Sequence, residues 1–215
     1  MDKKTKLLKL NKEIYKIYLQ NKGSLLFHGW HHINFVRNKA LLFAKNLKAD
    51  LFIIESTALV HDLNYLVKSN SEPEAGKQMR QEILAKIGYT AKELATIEQI
   101  IMEAHTAYRK RQLSDEAKAI SDADTLFKAL PITPILFANH YIIENNIDIS
   151  KLTKKIITEQ TVLLKKGIYF YTKEAKHKYL KWAKVNSALW SNVSESLQDP
   201  DVQKLLADAK KLKVI

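Results

Sequence analysis

Apolar residues recur three and four positions apart along most of this chain, the spacing that places them on one face of an α-helix. Over 5–20 that face holds Leu7, Leu8, Leu10, Ile14, Ile17 and Tyr18; over 30–48 it holds Ile33, Val36, Ala40, Leu41, Phe43, Ala44 and Leu47. The stretch LFIIESTALVHDLNYL, residues 51–66, is apolar nearly all round, which predicts a central buried helix. Ser71 with Glu74, and Pro73 between them, forms a capping-box pattern opening a helix over about 72–87 that Gly88 stops. Thr90 with Glu93 forms a second, opening about 91–105. A basic loop, TAYRKRQLS at 106–114, leads into a helix over 115–130 that ends before Pro131. Further helices fit 134–145, 151–166 (stopped by Gly167) and 173–197, with a short last one opened by Asp199 and Pro200. Alternation with a period of two goes no further than IYFY at 168–171. The expected fold is all-α, roughly nine helices in one domain over 1–215, with a core at about 23–150 and a helical C-terminal extension, 151–215, packed on it.

Composition narrows the classes. A chain that is 46% hydrophobic and 27% charged can bury a sizeable core and still dissolve. With no Cys, disulfide frameworks, zinc fingers, iron–sulfur ligation and cysteine nucleophiles are excluded, and a reducing compartment is the natural expectation. No apolar run approaches the ~18–20 residues of a membrane span. The first twenty residues are basic but broken by Lys9, Lys12, Glu13 and Lys16, unlike a signal peptide, so a cytoplasmic protein with no membrane partner is expected. The net charge is +12, and its distribution matters. Residues 1–22 hold seven Lys against two acids, 151–215 hold fourteen against six, and the stretch between is nearly neutral. The excess is Lys at the two ends, which reads first as solvated helix faces and second as a surface for polyanions such as nucleic acid.

The chemistry gathers around seven histidines. His61 and Asp62 sit side by side at the end of the apolar helix, and burying both is costly unless each is paired or ligates a cation. Neighbouring helix positions differ by about 100°, so both side chains can reach one ion between them. His32, in HGWHHINFV (28–36), and Asp124, in SDADTL (121–126), lie on other predicted helices. One imidazole and one carboxylate on a shared ion suit a divalent Mn, Fe, Co, Ni, Zn or Mg ion with positions left open for water and a phosphate oxygen. Lys68, six residues after Asp62, and Arg109, in the basic loop with Lys110 and Arg111, are candidate phosphate-binding cations. His105, at a helix end, is a candidate substrate ligand or proton donor. Glu55, seven residues before Asp62 and on the same helical face, is a candidate for orienting a ligand histidine. Asp122 reads as a cap or a solvated residue, His31 as exposed, His28 as a cap or a residue at the pocket mouth, and His140 and His177 as surface or packing residues. Tyr169, Phe170, Tyr171, Tyr179, Trp182 and Trp190 read as core packing, with a base-stacking wall as the alternative.

The order His, then His-Asp, then Asp, each on a different helix, resembles the HD-domain superfamily of metal-dependent phosphohydrolases, in particular its soluble bacterial branch, over about residues 24–130. HGWHHINFV is similar to that branch's HDxxHxxRV, TALVHDL to its apolar-HD-apolar element and SDADTL to its xDADRL. The resemblance implies His32, His61, Asp62 and Asp124 as ligands of one divalent ion, an all-α bundle, and hydrolysis of a small phosphorylated molecule, a nucleotide foremost, by attack of metal-bound water. Asp62 then acts in catalysis as well as in ligation. The chain departs from the pattern at Gly29 (usually Asp), Phe35 (usually Arg, with Arg37 nearby) and Thr125 (usually Arg). No carboxylate follows the His-Asp pair, unlike the branches that hydrolyse guanosine tetraphosphate or 5′-deoxynucleotides, and the second histidine cluster of the two-metal branch is missing. Two other readings stand beside this one: a metal-binding sensor of the same fold without turnover, and a Lys-rich protein associated with nucleic acid.

Overall fold

Asp2 accepts the amide hydrogen of Thr5 and opens α1 (Lys3–Gln20), whose Leu10, Ile14 and Tyr18 are buried, on the face that the spacing marks. In this computed structural model, which describes residues 1–214, the fold is all-α, with no strand among them. α2 (Trp30–Ala44) buries His32, Ile33, Val36, Ala40, Phe43 and Ala44. α3 (Leu51–Val60) is the central helix: it touches α1 and α2, and also α6 (Ala91–Ala104) and α7 (Asp115–Ala129), and all of it except Leu51 and Glu55 is buried. That surrounding explains why its sequence is apolar all round.

The expected helix over 51–66 breaks at the His-Asp pair. α3 ends at Val60, the chain tightens into turns in which Leu63 donates to the Val60 carbonyl, and a short α4 (Asn64–Val67) follows. The Ser71–Glu74 capping box does not form. Ser71 Oγ instead donates to the Asn64 carbonyl (3.1 Å), a 3₁₀ turn at Pro73–Gly76 intervenes, and α5 starts at Lys77 and runs to Ile87. The Thr90–Glu93 box forms at the start of α6, with both of its hydrogen bonds present. Gly88 closes α5 at φ +98°, a left-handed conformation that a side chain would strain.

Past Pro131 the predicted helix over 134–145 is split into α8 (Thr133–Leu136) and α9 (Ala138–Asn145). α10 (Ile149–Ile156) runs through a π-turn at Ile157–Thr161 into α11 (Val162–Lys165). The extension continues as α12 (Lys173–Ser196), which packs on α7 and α10, and α13 (Pro200–Lys211), at twelve residues longer than the short helix expected. Beside the main core a smaller cluster of Phe27, Phe127, Tyr141, Leu152 and Trp190 joins the start of α2, the end of α7 and the extension. No helix among the described residues is long and apolar enough to cross a membrane.

Candidate metal centre

Packing of α2, α3 and α7 against one another brings His32, His61, Asp62 and Asp124 together. His32 enters from the first turn of α2, His61 and Asp62 from the end of α3, and Asp124 from the middle of α7. His32 Nε2 lies 3.0 Å from Asp62 Oδ2, and His61 Nε2 lies 3.2 Å from the same oxygen. Asp124 Oδ1 is 3.7 Å from His32 Nε2. His32, His61 and Asp62 each offer one ligand atom within 4.8 Å of the others and could hold a metal ion.

A cation suits this site because its polar atoms are otherwise stranded. His32 Nε2, His61 Nε2 and Asp62 Oδ2 are buried and, apart from one another, have no polar partner. Burying such atoms unpaired costs about 1–3 kcal/mol each, whereas an ion between them satisfies all three at once. His61 is held for this by the Ala58 carbonyl, 2.9 Å from Nδ1, which leaves Nε2 as the free lone pair. Burial pushes the His32 imidazole below its ordinary pKa and so favours the neutral form a ligand needs. His61 is drawn down by burial but raised overall by the Asp62 carboxylate. Burial would raise both acids, but Lys128 and His32 hold Asp124 at about 2, and the two imidazoles hold Asp62 well below the carboxylate range.

The other expected residues are distributed differently. His105 lies on the wall of a cavity beside the centre, with Nδ1 3.6 Å from Glu72 Oε2 and its pKa lowered by burial. Glu55 does not orient a ligand histidine: Arg37 Nε binds its carboxylate at 2.8 Å, and Arg37 Nη2 binds it too. The break at His61 ends the helical register that aligned Glu55 with Asp62. Arg109 does not face the cavity. Its guanidinium is buried and donates to the carbonyls of Ala104 (3.1 Å), Ser121 (3.2 Å) and Tyr169 (3.4 Å) and to the Thr125 hydroxyl. It thereby fills the space beside Thr125. Lys68 is exposed at the end of α4, away from the cavity wall. Asp122 is buried rather than solvated. Its two oxygens accept the amide hydrogens of Tyr171 and Thr172, each at 2.7 Å, and burial pushes its pKa up to about 6. Gly29 is required where it stands, because a Cβ there would lie 2.6 Å from the Leu25 carbonyl oxygen.

Three residues that line or brace the site escaped the sequence reading. Lys128 Nζ bonds Asp124 Oδ2 at 2.7 Å and lines the cavity, so a cation stands between the centre and the space beside it. Its position four residues after Asp124 on one helix was a usable signal. Glu144 accepts from the amides of Phe27 (2.7 Å) and His28 (3.1 Å) and pairs with His28 Nδ1, while the His28 ring stacks on Tyr65 with centroids 3.5 Å apart. Lys155, one of the extension's many lysines, lines the cavity from the other side. The cavity encloses about 140 Å³, where one water needs about 10–15 Å³, so it has room for an organic ligand.

No family model matches this chain. The uncharacterized protein YpgQ of Bacillus subtilis (strain 168) is 31% identical over 102 residues, a match covering 46% of this chain and 50% of YpgQ, about half the length of that relative. The crystal structure of B. subtilis YpgQ in complex with ADP shares the fold at a TM-score of 0.60 and 20% identity, covering 92% of this chain and 99% of that one. The Lin1889 protein from Listeria innocua is similar at a TM-score of 0.54 and 22% identity, covering 93% and 97% of the two chains.

Proposed function

We propose that this protein is a single-metal phosphohydrolase of the HD type, acting on a small phosphorylated molecule of the nucleotide class. The observation that carries the reading is the stranded set His32 Nε2, His61 Nε2 and Asp62 Oδ2, with Asp124 joining it and sharing its carboxylate with a lysine of the neighbouring cavity. The sequence resemblance supports it, as does the ADP held by YpgQ.

Asp124 is the fourth ligand in this reading, with Oδ1 turned to the centre and Oδ2 held by Lys128. His32, His61, Asp62 and Asp124 would hold a divalent ion, which would supply Lewis acidity at this position. Lys128 places a positive charge between the centre and the cavity, where it neutralises the anionic substrate. His105, on the cavity wall, donates a hydrogen bond from its neutral ring to the oxygen that leaves phosphorus. Phe27, packed beside His32, and the stacked His28–Tyr65 pair wall the reaction off from bulk water. Arg109 and Asp122 fix the loop and backbone around α7 and do not touch substrate.

The test is a screen of metal-stripped protein, reloaded with Mn²⁺, Mg²⁺ or Ni²⁺, against nucleotides and phosphate esters. Phosphate or pyrophosphate release is expected with the wild type, falling by orders of magnitude in a folded Asp62→Asn variant. Absence of turnover with every metal, or full activity in Asp62→Asn, would overturn the reading.

A further inference from the structure

The cavity wall contributed by the extension has a feature that phosphate chemistry leaves unexplained. Successive residues of an α-helix turn by about 100°, which would set Lys155 and Gln160 about 140° apart. The π-turn at Ile157–Thr161 widens the helix there, and Lys155, Ile156, Glu159 and Gln160 all line the cavity. Such turns recur at functional sites because they re-aim side chains.

What the turn presents is polar and oriented. The buried Tyr169 hydroxyl donates to Gln160 Oε1 at 2.7 Å, which takes up the amide oxygen and leaves the NH₂ group free. Burial raises the Tyr169 pKa well above the ordinary phenol value, so the hydroxyl keeps its proton. Across the same cavity, Asn186 Nδ2 donates to the carbonyls of Lys128 (3.1 Å) and Leu130 (3.0 Å), leaving Oδ1 as a free acceptor. Trp190, also on the wall, supplies a flat apolar face. A fixed donor, a fixed acceptor and an aromatic face match the polar edge and planar ring of a nucleobase. A phosphate group could take the donor but has no use for the acceptor or the aromatic face.

We propose that the π-turn of the C-terminal extension is the base-recognition element of the site, with Gln160 Nε2 donating to the nucleobase of a bound nucleotide and Tyr169 positioning that amide. The proposal rests on the nucleotide reading above and assigns the extension a role in specificity. Lys155, at the end of α10 just before the turn and held by Asn70 Oδ1 at 2.8 Å, lines the cavity as a second cation for the phosphates.

The test is calorimetric binding of ADP and of inorganic pyrophosphate to the full chain, as wild type, Gln160→Met and Tyr169→Phe, with melting curves to verify folding. The wild type is expected to bind ADP more tightly than pyrophosphate. Gln160→Met should weaken ADP about tenfold and leave pyrophosphate unchanged, and Tyr169→Phe should give a smaller loss, also confined to ADP. Equal binding of ADP by wild type and Gln160→Met would overturn the proposal, as would equal losses for both ligands or no preference for ADP in the wild type. Turnover separates the two claims. A wild type that cleaves phosphate esters without preferring ADP sinks base recognition alone. One that binds ADP through Gln160 but cleaves nothing sinks the hydrolase reading alone.

Discussion

Replacing Arg109 with Lys separates a scaffold residue from a substrate-binding one. The guanidinium spends its donors on four acceptors inside the protein: the carbonyls of Ala104, Ser121 and Tyr169 and the Thr125 hydroxyl. Lysine keeps the charge but loses the planar fork, so an ammonium in that space cannot reach all four. A buried acceptor left without its donor costs about 1–3 kcal/mol, and a lost bond to a charged donor about 1.5–3 kcal/mol. A destabilisation of about 3 kcal/mol follows, or roughly 6–12 °C in melting temperature for a chain of this size. Circular dichroism melts, paired with KM on the best substrate from the screen, measure both consequences. The expected result is a large drop in melting temperature with KM nearly unchanged below the melt. A melting temperature within about 2 °C of wild type, together with a tenfold rise in KM, would refute the reasoning and return Arg109 to the substrate.

Lys128→Met removes the ammonium from Asp124 and from the cavity, so KM for a phosphorylated substrate should rise about tenfold while metal content per chain is retained; loss of the metal would contradict its placement as a substrate cation. Replacing Lys151, Lys154, Lys165 and Lys166 together by Gln should leave steady-state kinetics unchanged, because these side chains do not line the cavity, whereas Lys155→Gln alone should raise KM. Burial would raise Glu144, but its hydrogen bonds to His28 and Phe27 outweigh this and hold it below its ordinary value of 4.5. Its ionised form therefore stabilises the fold above that range, and the contribution is lost as pH falls through the lowered value. Glu144→Gln should cost about 1.5–3 kcal/mol near pH 7 in denaturant unfolding, with the gap to wild type closing under acid; a gap independent of pH would contradict this.

The elements with one apolar face, α1 and α2, could be read from spacing because each packs on the core along a single side. α3 could be read for the opposite reason, since helices surround it. The break at His61 could not, because apolar residues continue into Leu63 and Leu66, and the interruption arises from backbone turns rather than from composition. That break misplaced Glu55, whose alignment with Asp62 assumed an unbroken helix. His32, His61 and Asp62 lie within reach of one ion because α2 and α3 pack side by side, while Asp124, named with them in sequence, stands outside that trio. In sequence Arg109 reads as a phosphate-binding cation of the basic loop; its burial depends on the Tyr169 carbonyl sixty positions away. Glu144 lies 116 residues from His28 and carries no local mark of its role.

The most direct test of the central claim is a calorimetric titration of metal-stripped protein with Mn²⁺, run on wild type, His61→Ala and Asp62→Asn. The account predicts one ion bound per chain in the wild type, with binding weakened by orders of magnitude in both variants while their helical circular dichroism is retained. No binding by the folded wild type, or binding that neither substitution alters, would contradict it.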